Sequence, residues 1–169
     1  ADNCGTVTNI VSVPASGSAF PVGVTTVTNT ATDSSGNRTV CTFTVTVRDA
    51  QLPTITCPTD VTVNVNAGLC VATGVALGSP ITGDNCGPVT VTNNAPAQFP
   101  VGTNLVTWTA TDVNGNSATC LQRVIVRDNL APAISCPANI LVNAAAGQCA
   151  SNVTFIVTAT DNCGTVTNI

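Results

Sequence analysis

Several residue types that enzymes depend on are missing from this chain. It has no histidine or tyrosine, and neither lysine nor glutamate occurs anywhere in its 169 residues. Aspartate is then the only ordinary acid or base, and a serine or cysteine nucleophile has no activating partner. We therefore predict that the chain is not an enzyme. With a net charge of −4 and no lysine, the chain also lacks the basic residues that a nucleic-acid-binding protein uses to contact phosphates.

Threonine and valine dominate what remains, and β-branched residues suit the pleated, half-buried surface of a sheet. Cys41, Phe43, Val45 and Val47 alternate with threonines, which predicts a strand with one buried face. No apolar stripe with a helical period is sustained, and no apolar run reaches the length of a membrane span. The sequence therefore predicts an all-β fold without a membrane-spanning segment.

A repeat of about 79 residues organises the whole chain. Cys41 and Cys120 are 79 residues apart, and so are the two Phe-Pro-Val-Gly motifs that begin at Phe20 and Phe99. Turn signals of the form Asp-x-x-Gly-Asn follow at Asp33 and Asp112, each between two predicted strands. Short strands with regularly spaced turns predict tandem antiparallel β-sandwiches of immunoglobulin-like type.

The repeat predicts three segments. Residues 50–128 form one complete unit, residues 1–49 match the C-terminal part of a unit, and residues 129–169 match the N-terminal part. The string Asp-Asn-Cys-Gly-Thr-Val-Thr-Asn-Ile occurs at Asp2–Ile10 and again at Asp161–Ile169. We interpret the chain as a window on a longer tandem array.

Nine cysteines in units this small predict disulfide staples and an oxidising, extracellular or cell-surface location. Zinc is disfavoured because the chain has no histidine and no Cys-x-x-Cys pair. Four cysteines per unit allow three pairings, so sequence alone leaves the connectivity open. The pairing that we favour is Cys57–Cys70, Cys136–Cys149, Cys86–Cys120 and Cys4–Cys41. It leaves Cys163 unpaired, because the partner of Cys163 would lie beyond the window.

Trp108 falls on the penultimate predicted strand of the complete unit, at the place where the preceding unit has Asn29. A position that accepts both residues is expected at the edge of the sandwich. We interpret Trp108 as a partly exposed packing residue, with ligand stacking as the alternative.

These motifs resemble the HYR (hyalin repeat) domain along the whole chain. The resemblance implies an immunoglobulin-like sandwich used in extracellular adhesion, often in long arrays, and no catalytic residues. Its pattern is carried here by Cys57-Pro58, Asp84–Gly87, Phe99–Thr103, Val106–Asn116, Cys120 and Val124–Asp128.

Calcium is the one possible cofactor that the sequence indicates. Asp128-Asn129-x-x-Pro132 resembles the calcium-binding linkers of cadherins, and hard cations prefer clustered oxygen ligands. The alternative is that these side chains only shape turns. The candidate ligands are Asp49, Asp128, Asn129, Asp84, Asp112 and Asn116. Asn37 and Asn152 begin N-x-Thr sequences and are possible glycosylation sites.

Two functions remain open. The first is a structural segment of an extracellular fibre, stalk or adhesin, with disulfide-stapled units stacked end to end. Its partners would be neighbouring repeats of the same chain or identical chains in a filament. We favour a continuous polypeptide over subunits that complete one another by strand exchange. The second function is an adhesion module that binds carbohydrate or protein through its loops or through the Trp108 edge.

Overall fold

The computed structural model describes residues 6–164, and these contain strands and turns but no helix. Consequently, none of the described residues belongs to a helix able to cross a membrane. The predicted class, all-β with immunoglobulin-like repeats, is confirmed. The strands are β1 Val7–Val13, β2 Gly23–Asp33, β3 Arg38–Val47, β4 Thr54–Thr56, β5 Val61–Asn64, β6 Val71–Thr73, β7 Ile81–Gly83, β8 Val89–Asn93, β9 Gln98–Pro100, β10 Gly102–Asp112, β11 Ser117–Arg127, β12 Ala133–Ser135 and β13 Thr158–Thr160.

The chain divides into two compact units, each assembled from several segments. The first comprises residues 1–54, 82–90 and 110–118, and the second comprises residues 55–81, 91–109 and 119–169. The domain boundaries predicted from the repeat stay a prediction.

An antiparallel sheet of order β1-β2-β3 forms most of the first unit. The predicted turn between β2 and β3 is present, because the Asp33 carboxylate accepts hydrogen bonds from the backbone N–H groups of Ser35 and Asn37, each 2.8 Å long. Gly36 sits in this turn with φ +87°, a conformation that favours glycine. The turn closes a β2–β3 register running from Gly23↔Val47 to Thr32↔Arg38.

The hydrophobic core lies in the second unit. Its buried members come from β6, β9, β10 and β11 and from the residue that follows β5, and they are Val65, Ala72, Phe99, Val106, Trp108, Val124 and Val126. The strands β10 and β11 belong to a sheet of order β5-β11-β10-β8, whereas β6 and β9 form a two-stranded sheet. Apolar side chains from both sheets thus meet, as in a β-sandwich.

One pairing differs from the predicted antiparallel arrangement. β5 lies parallel to β11, with Val61 opposite Val124 and Asn64 opposite Arg127. The two strands can run in the same direction because the long stretch between them crosses to β6–β9 and back.

The interpretation of Trp108 as an edge residue is wrong. Its side chain is only 6% exposed and belongs to the core cluster. Its indole N–H donates a 3.0 Å hydrogen bond to Oε1 of Gln122, which satisfies the one polar group that burial would otherwise leave unpaired. Gln122 is itself fully buried, and it was not singled out by the sequence.

Candidate functional site

The first disulfide joins the beginning of the complete repeat to its last strand. Cys57 is bonded to Cys120, with their Cα atoms 5.7 Å apart. The two cysteines are 63 residues apart, the same offset that separates Val61 from Val124 in the parallel β5–β11 ladder. The parallel pairing therefore places them side by side, and both pack against the hydrophobic core.

The second disulfide joins segments that the sequence assigns to successive repeats. Cys70 is bonded to Cys163, 93 residues further along, with a Cα–Cα distance of 4.9 Å. Two hydrogen bonds position the loop that carries Cys163. Asn162 Nδ2 donates to the carbonyl oxygen of Leu69 at 2.8 Å, and within the loop the Cys163 N–H donates to Asp161 Oδ1 at 2.7 Å.

The predicted pairings Cys57–Cys70 and Cys86–Cys120 are wrong. Cys57 precedes β5, whereas Cys70 follows it after a turn in which Leu69 N–H donates to the carbonyl oxygen of Asn66 at 2.9 Å. The strand thus separates the two sulfurs, and Cys120 is already bonded to Cys57.

The predicted Cys136–Cys149 bond is also wrong, since both cysteines are exposed and unbonded in this structure. Cys163, which has no partner in the predicted pairing, is bonded to Cys70. The predicted Cys4–Cys41 bond involves Cys4, which lies outside the described residues, and Cys41 is exposed.

Two acidic side chains and a thiol meet in the first unit. One ligand atom each from Asp49, Asp84 and Cys86 lies within 4.8 Å of the others. Asp84 Oδ1 accepts a 2.8 Å hydrogen bond from the Cys86 N–H, but Asp84 Oδ2 is buried and has no hydrogen-bond partner among the described residues. Partial burial raises the pKa of the Cys86 thiol, and the negative charges of Asp49, Asp84 and Asp112 raise it further.

The β10–β11 turn adjoins this cluster. Asn114 Nδ2 donates to Asp49 Oδ2 at 3.2 Å, and Asn116 Nδ2 donates to the carbonyl oxygen of Asp49 at 3.3 Å. Asp112 is only 6% exposed. Burial alone would raise the pKa of this carboxyl, but hydrogen bonds from Asn116, Asn114 and Gly115 outweigh it and hold the pKa below its usual value.

Of the six predicted calcium ligands, the structure brings four together at this place: Asp49, Asp84, Asp112 and Asn116. Asp128 and Asn129 belong to the second unit, where Asp128 Oδ1 accepts a 3.1 Å hydrogen bond from the Leu130 N–H. The unpartnered Asp84 Oδ2 is the observation that fits a cation. The side-chain amides of Asn114 and Asn116 that donate to Asp49 fit the alternative, in which these residues only shape a turn and bind no metal.

The two possible glycosylation sites are both exposed. Asn152 lies in a segment without regular structure, and Asn37 lies in the β2–β3 turn. The Asn37 side chain is engaged there, because its Nδ2 donates to Asp33 Oδ2 at 2.7 Å.

Comparison with known proteins relates the chain to a domain family and to several longer proteins that contain similar sequence. The sequence profile of the HYR domain matches residues 1–47 and 48–126. The chain is 34% identical over 174 residues to hyalin from Strongylocentrotus purpuratus, which covers 97% of the chain and 14% of that protein. It is 37% identical over 176 residues to hyalin from Lytechinus variegatus, which covers 99% of the chain and 33% of that protein.

A further relative is the sushi, von Willebrand factor type A, EGF and pentraxin domain-containing protein 1 from Rattus norvegicus. It is 36% identical over 112 residues, or 64% of the chain and 3% of that protein. The chain thus spans only a small part of the length of each of these relatives.

Proposed function

Because this chain belongs to the HYR domain family, we propose that it is a structural repeat segment of an extracellular fibre, stalk or adhesin. The observation that carries this proposal is the Cys70–Cys163 bond, which joins two segments assigned by the sequence to successive repeats. A bond of this kind holds successive sequence repeats together against thermal motion and tension, whereas a single adhesion domain has no need of it.

An extracellular location fits the two disulfides, since such bonds persist in oxidising compartments. The low charge of the chain also fits an array, because neighbouring chains repel one another only weakly when few side chains are charged. No catalytic role is part of the proposal.

The alternative function, an adhesion module that binds carbohydrate or protein, loses one of its supports. A buried Trp108 cannot stack on a ligand from the sandwich edge. The loops around Asp49 and Asp84 stay available to it, with calcium as the cofactor proposed there.

Negative-stain electron microscopy of the native material tests the structural role. We expect a uniform thin fibre, and discrete particles that bind a sugar or protein ligand would favour the alternative. Denaturing mass analysis under reduction then separates the two kinds of fibre. A very large chain indicates a continuous polypeptide, and subunits near 16.9 kDa indicate a polymer of separate copies of this chain.

A further inference from the structure

Within residues 6–164, no strand pairs with the outer edge of β3, unlike the equivalent strand of the complete repeat. β3 is the last strand of its sheet, whereas β11 is paired on that side with β5. We call two positions repeat-equivalent when they hold the same place in the 79-residue pattern. Val45 and Val47 on β3 are repeat-equivalent to Val124 and Val126 on β11. The counterpart of β5 is then residues 140–143.

Burial differs sharply between these equivalent positions. Val124 and Val126 are 0% and 2% exposed, whereas Val45 and Val47 are only half-buried and Phe43 on the same strand is 52% exposed. Residues 129–156, which include the counterpart of β5, are all exposed. Ile140 and Ile156 are 49% and 79% exposed. Two apolar surfaces that pack together in the complete repeat are therefore both uncovered elsewhere in the chain.

The cysteines follow the same relationship. Cys136 and Cys41 are repeat-equivalent to Cys57 and Cys120, which are bonded to each other. Cys149 is repeat-equivalent to Cys70, and Cys86 occupies the same Asp-Asn-Cys-Gly loop as Cys163. Cys70 and Cys163 form the second bond. Each bond of the structure thus predicts one further bond between repeat-equivalent cysteines. The two further bonds are Cys136–Cys41 and Cys149–Cys86, and all four cysteines are free in this structure.

We propose that the β1-β2-β3 sheet of one copy of this chain binds residues 140–143 of a second copy as a parallel fourth strand, and that Cys136–Cys41 and Cys149–Cys86 bonds between the copies lock the junction. The proposal rests on the proposed structural function and specifies how its units are coupled. The occupant is a second copy because the uncovered strand and the uncovered edge are both parts of this chain. A polypeptide that continues the same repeat forms the same junction internally.

The added strand gains backbone hydrogen bonds along β3 and buries alternate side chains against it. Val142 is repeat-equivalent to Val63, which packs on the core, whereas Leu141 is repeat-equivalent to the exposed Thr62. Successive residues of a strand point to opposite faces, so Val142 is buried at the junction and Leu141 is not.

Each inter-copy bond requires removal of two electrons and two protons from a pair of thiols. A small-molecule disulfide such as oxidised glutathione accepts the electrons by thiol–disulfide exchange and leaves as two thiols. The bond is thus formed in a glutathione redox buffer without any enzyme.

The test uses the 169-residue chain, reduced and then oxidised in this buffer as an equal mixture of ¹⁴N- and ¹⁵N-labelled copies. Endoproteinase Asp-N cuts before each aspartate and separates all the cysteines except Cys136 and Cys149. We expect disulfide-linked oligomers in which residues 128–160 are joined to residues 33–48 and to residues 84–111, with hybrid ¹⁴N/¹⁵N pairs.

Within each copy, residues 49–59 should be joined to residues 112–127, and residues 60–83 to residues 161–169. These links report that the complete repeat is folded. Cys149→Ser should remove only the link to residues 84–111, and Cys136→Ser only the link to residues 33–48.

A matched pair of variants tests the strand itself. Val142→Asp should reduce the oligomer yield at least tenfold, whereas Leu141→Asp should leave it within twofold. Oxidised chains that stay monomeric, a Cys136–Cys149 link, or a Cys4–Cys41 link would each overturn the proposal. A thin native fibre carrying one of those links would reject this coupling and leave the structural function standing.

Discussion

Trp108 donates its indole N–H to Oε1 of Gln122, while Nε2 of Gln122 donates to the carbonyl oxygens of Thr59 and Leu77 at 2.7 Å and 2.8 Å. A fully buried amide thus makes three hydrogen bonds and links the core to two loops. Such a side chain is costly to bury alone and stabilising once every polar atom has a partner. The repeat-equivalent positions carry Asn29 and Phe43, so the polar and aromatic members exchange strands between repeats.

The Trp108–Gln122 pair predicts a specific order of stabilities. Trp108→Phe should cost about 1–3 kcal/mol because Oε1 of Gln122 loses its donor. Gln122→Ala should cost more, because the indole N–H and two carbonyl groups lose their partner together. Urea unfolding measures both, with the exposed Leu121→Ala as the control, expected within about 0.5 kcal/mol of wild type. Equal stability of all three variants would contradict the assigned network.

Removal of the Cys57–Cys120 bond should destabilise the complete repeat. The bond closes a loop of 63 residues, for which chain entropy predicts about 4 kcal/mol. The variant Cys57→Ala/Cys120→Ala, measured by thermal and urea unfolding, should therefore melt well below wild type. Cys136→Ala alone removes an exposed, unbonded thiol and should leave the melting temperature of monomeric chains unchanged. Insensitivity of wild type to a reductant would argue against any stapling role.

Calcium is expected at the cluster around Asp84. Isothermal titration of the chain with calcium should give a dissociation constant of about 10⁻⁴–10⁻³ M, as in extracellular modules. Asp84→Asn should abolish the heat, because it neutralises the carboxylate whose Oδ2 is buried without a partner. Asp60→Asn changes an exposed carboxylate that accepts the Arg123 N–H and should leave the heat unchanged. A chain that gives no heat, and no change in melting temperature on chelation, has no calcium site.

In monomeric chains, where Cys86 is unbonded, its alkylation should be slow at neutral pH and accelerate with rising pH. The thiolate is the reactive form, and a raised pKa keeps the group protonated over a wider range. Partial burial and the charges of Asp49, Asp84 and Asp112 all act in this direction. Asp49→Asn removes one of these charges and a hydrogen-bond partner, so it should raise the rate at pH 8. Mass spectrometry of iodoacetamide-treated chains measures it, and an unchanged rate would reject the electrostatic explanation.

Acid should weaken the β10–β11 turn through Asp112. The pKa of this carboxyl is lower in the folded chain than in the unfolded one, so ionised Asp112 stabilises the fold. That stability is complete above the unfolded value of about 3.9 and is lost as the pH falls through the folded value. Asn116→Ala removes the largest stabilising hydrogen bond of the carboxylate and should flatten this acid dependence. Urea unfolding between pH 2 and pH 6 measures the slope, and equal slopes would contradict it.

Features that local sequence encodes were predicted well. The hairpin turns after Asp33 and Asp112 depend on a carboxylate and a glycine within five residues, and both turns form as expected. The alternation that indicated strands needs no distant information either. The family resemblance is confirmed for the same reason, because its motifs are short and ordered along the chain.

The disulfide connectivity and the place of Trp108 depend instead on strand pairing across the fold. Cys57 meets Cys120 because β5 joins β11 in parallel at an offset of 63 residues, and no short motif reveals that offset. Trp108 packs in the core, where Gln122 on the neighbouring strand accepts its N–H. The preceding repeat carries asparagine at the position of Trp108, and for that reason the sequence suggested an edge position. The structure shows that this interpretation is wrong.

The Cys57–Cys120 bond also determines how the chain responds to a pull along its length. Tension that enters at Cys57 can pass directly through the two sulfurs to Cys120, so the strands between them are kept out of the load path. At about 3.4 Å per extended residue, the loop of 63 residues that the bond closes contains roughly 210 Å of chain that tension cannot extend. A stretched array of such units would therefore be stiff and nearly inextensible until the bond is reduced, and would then lengthen abruptly.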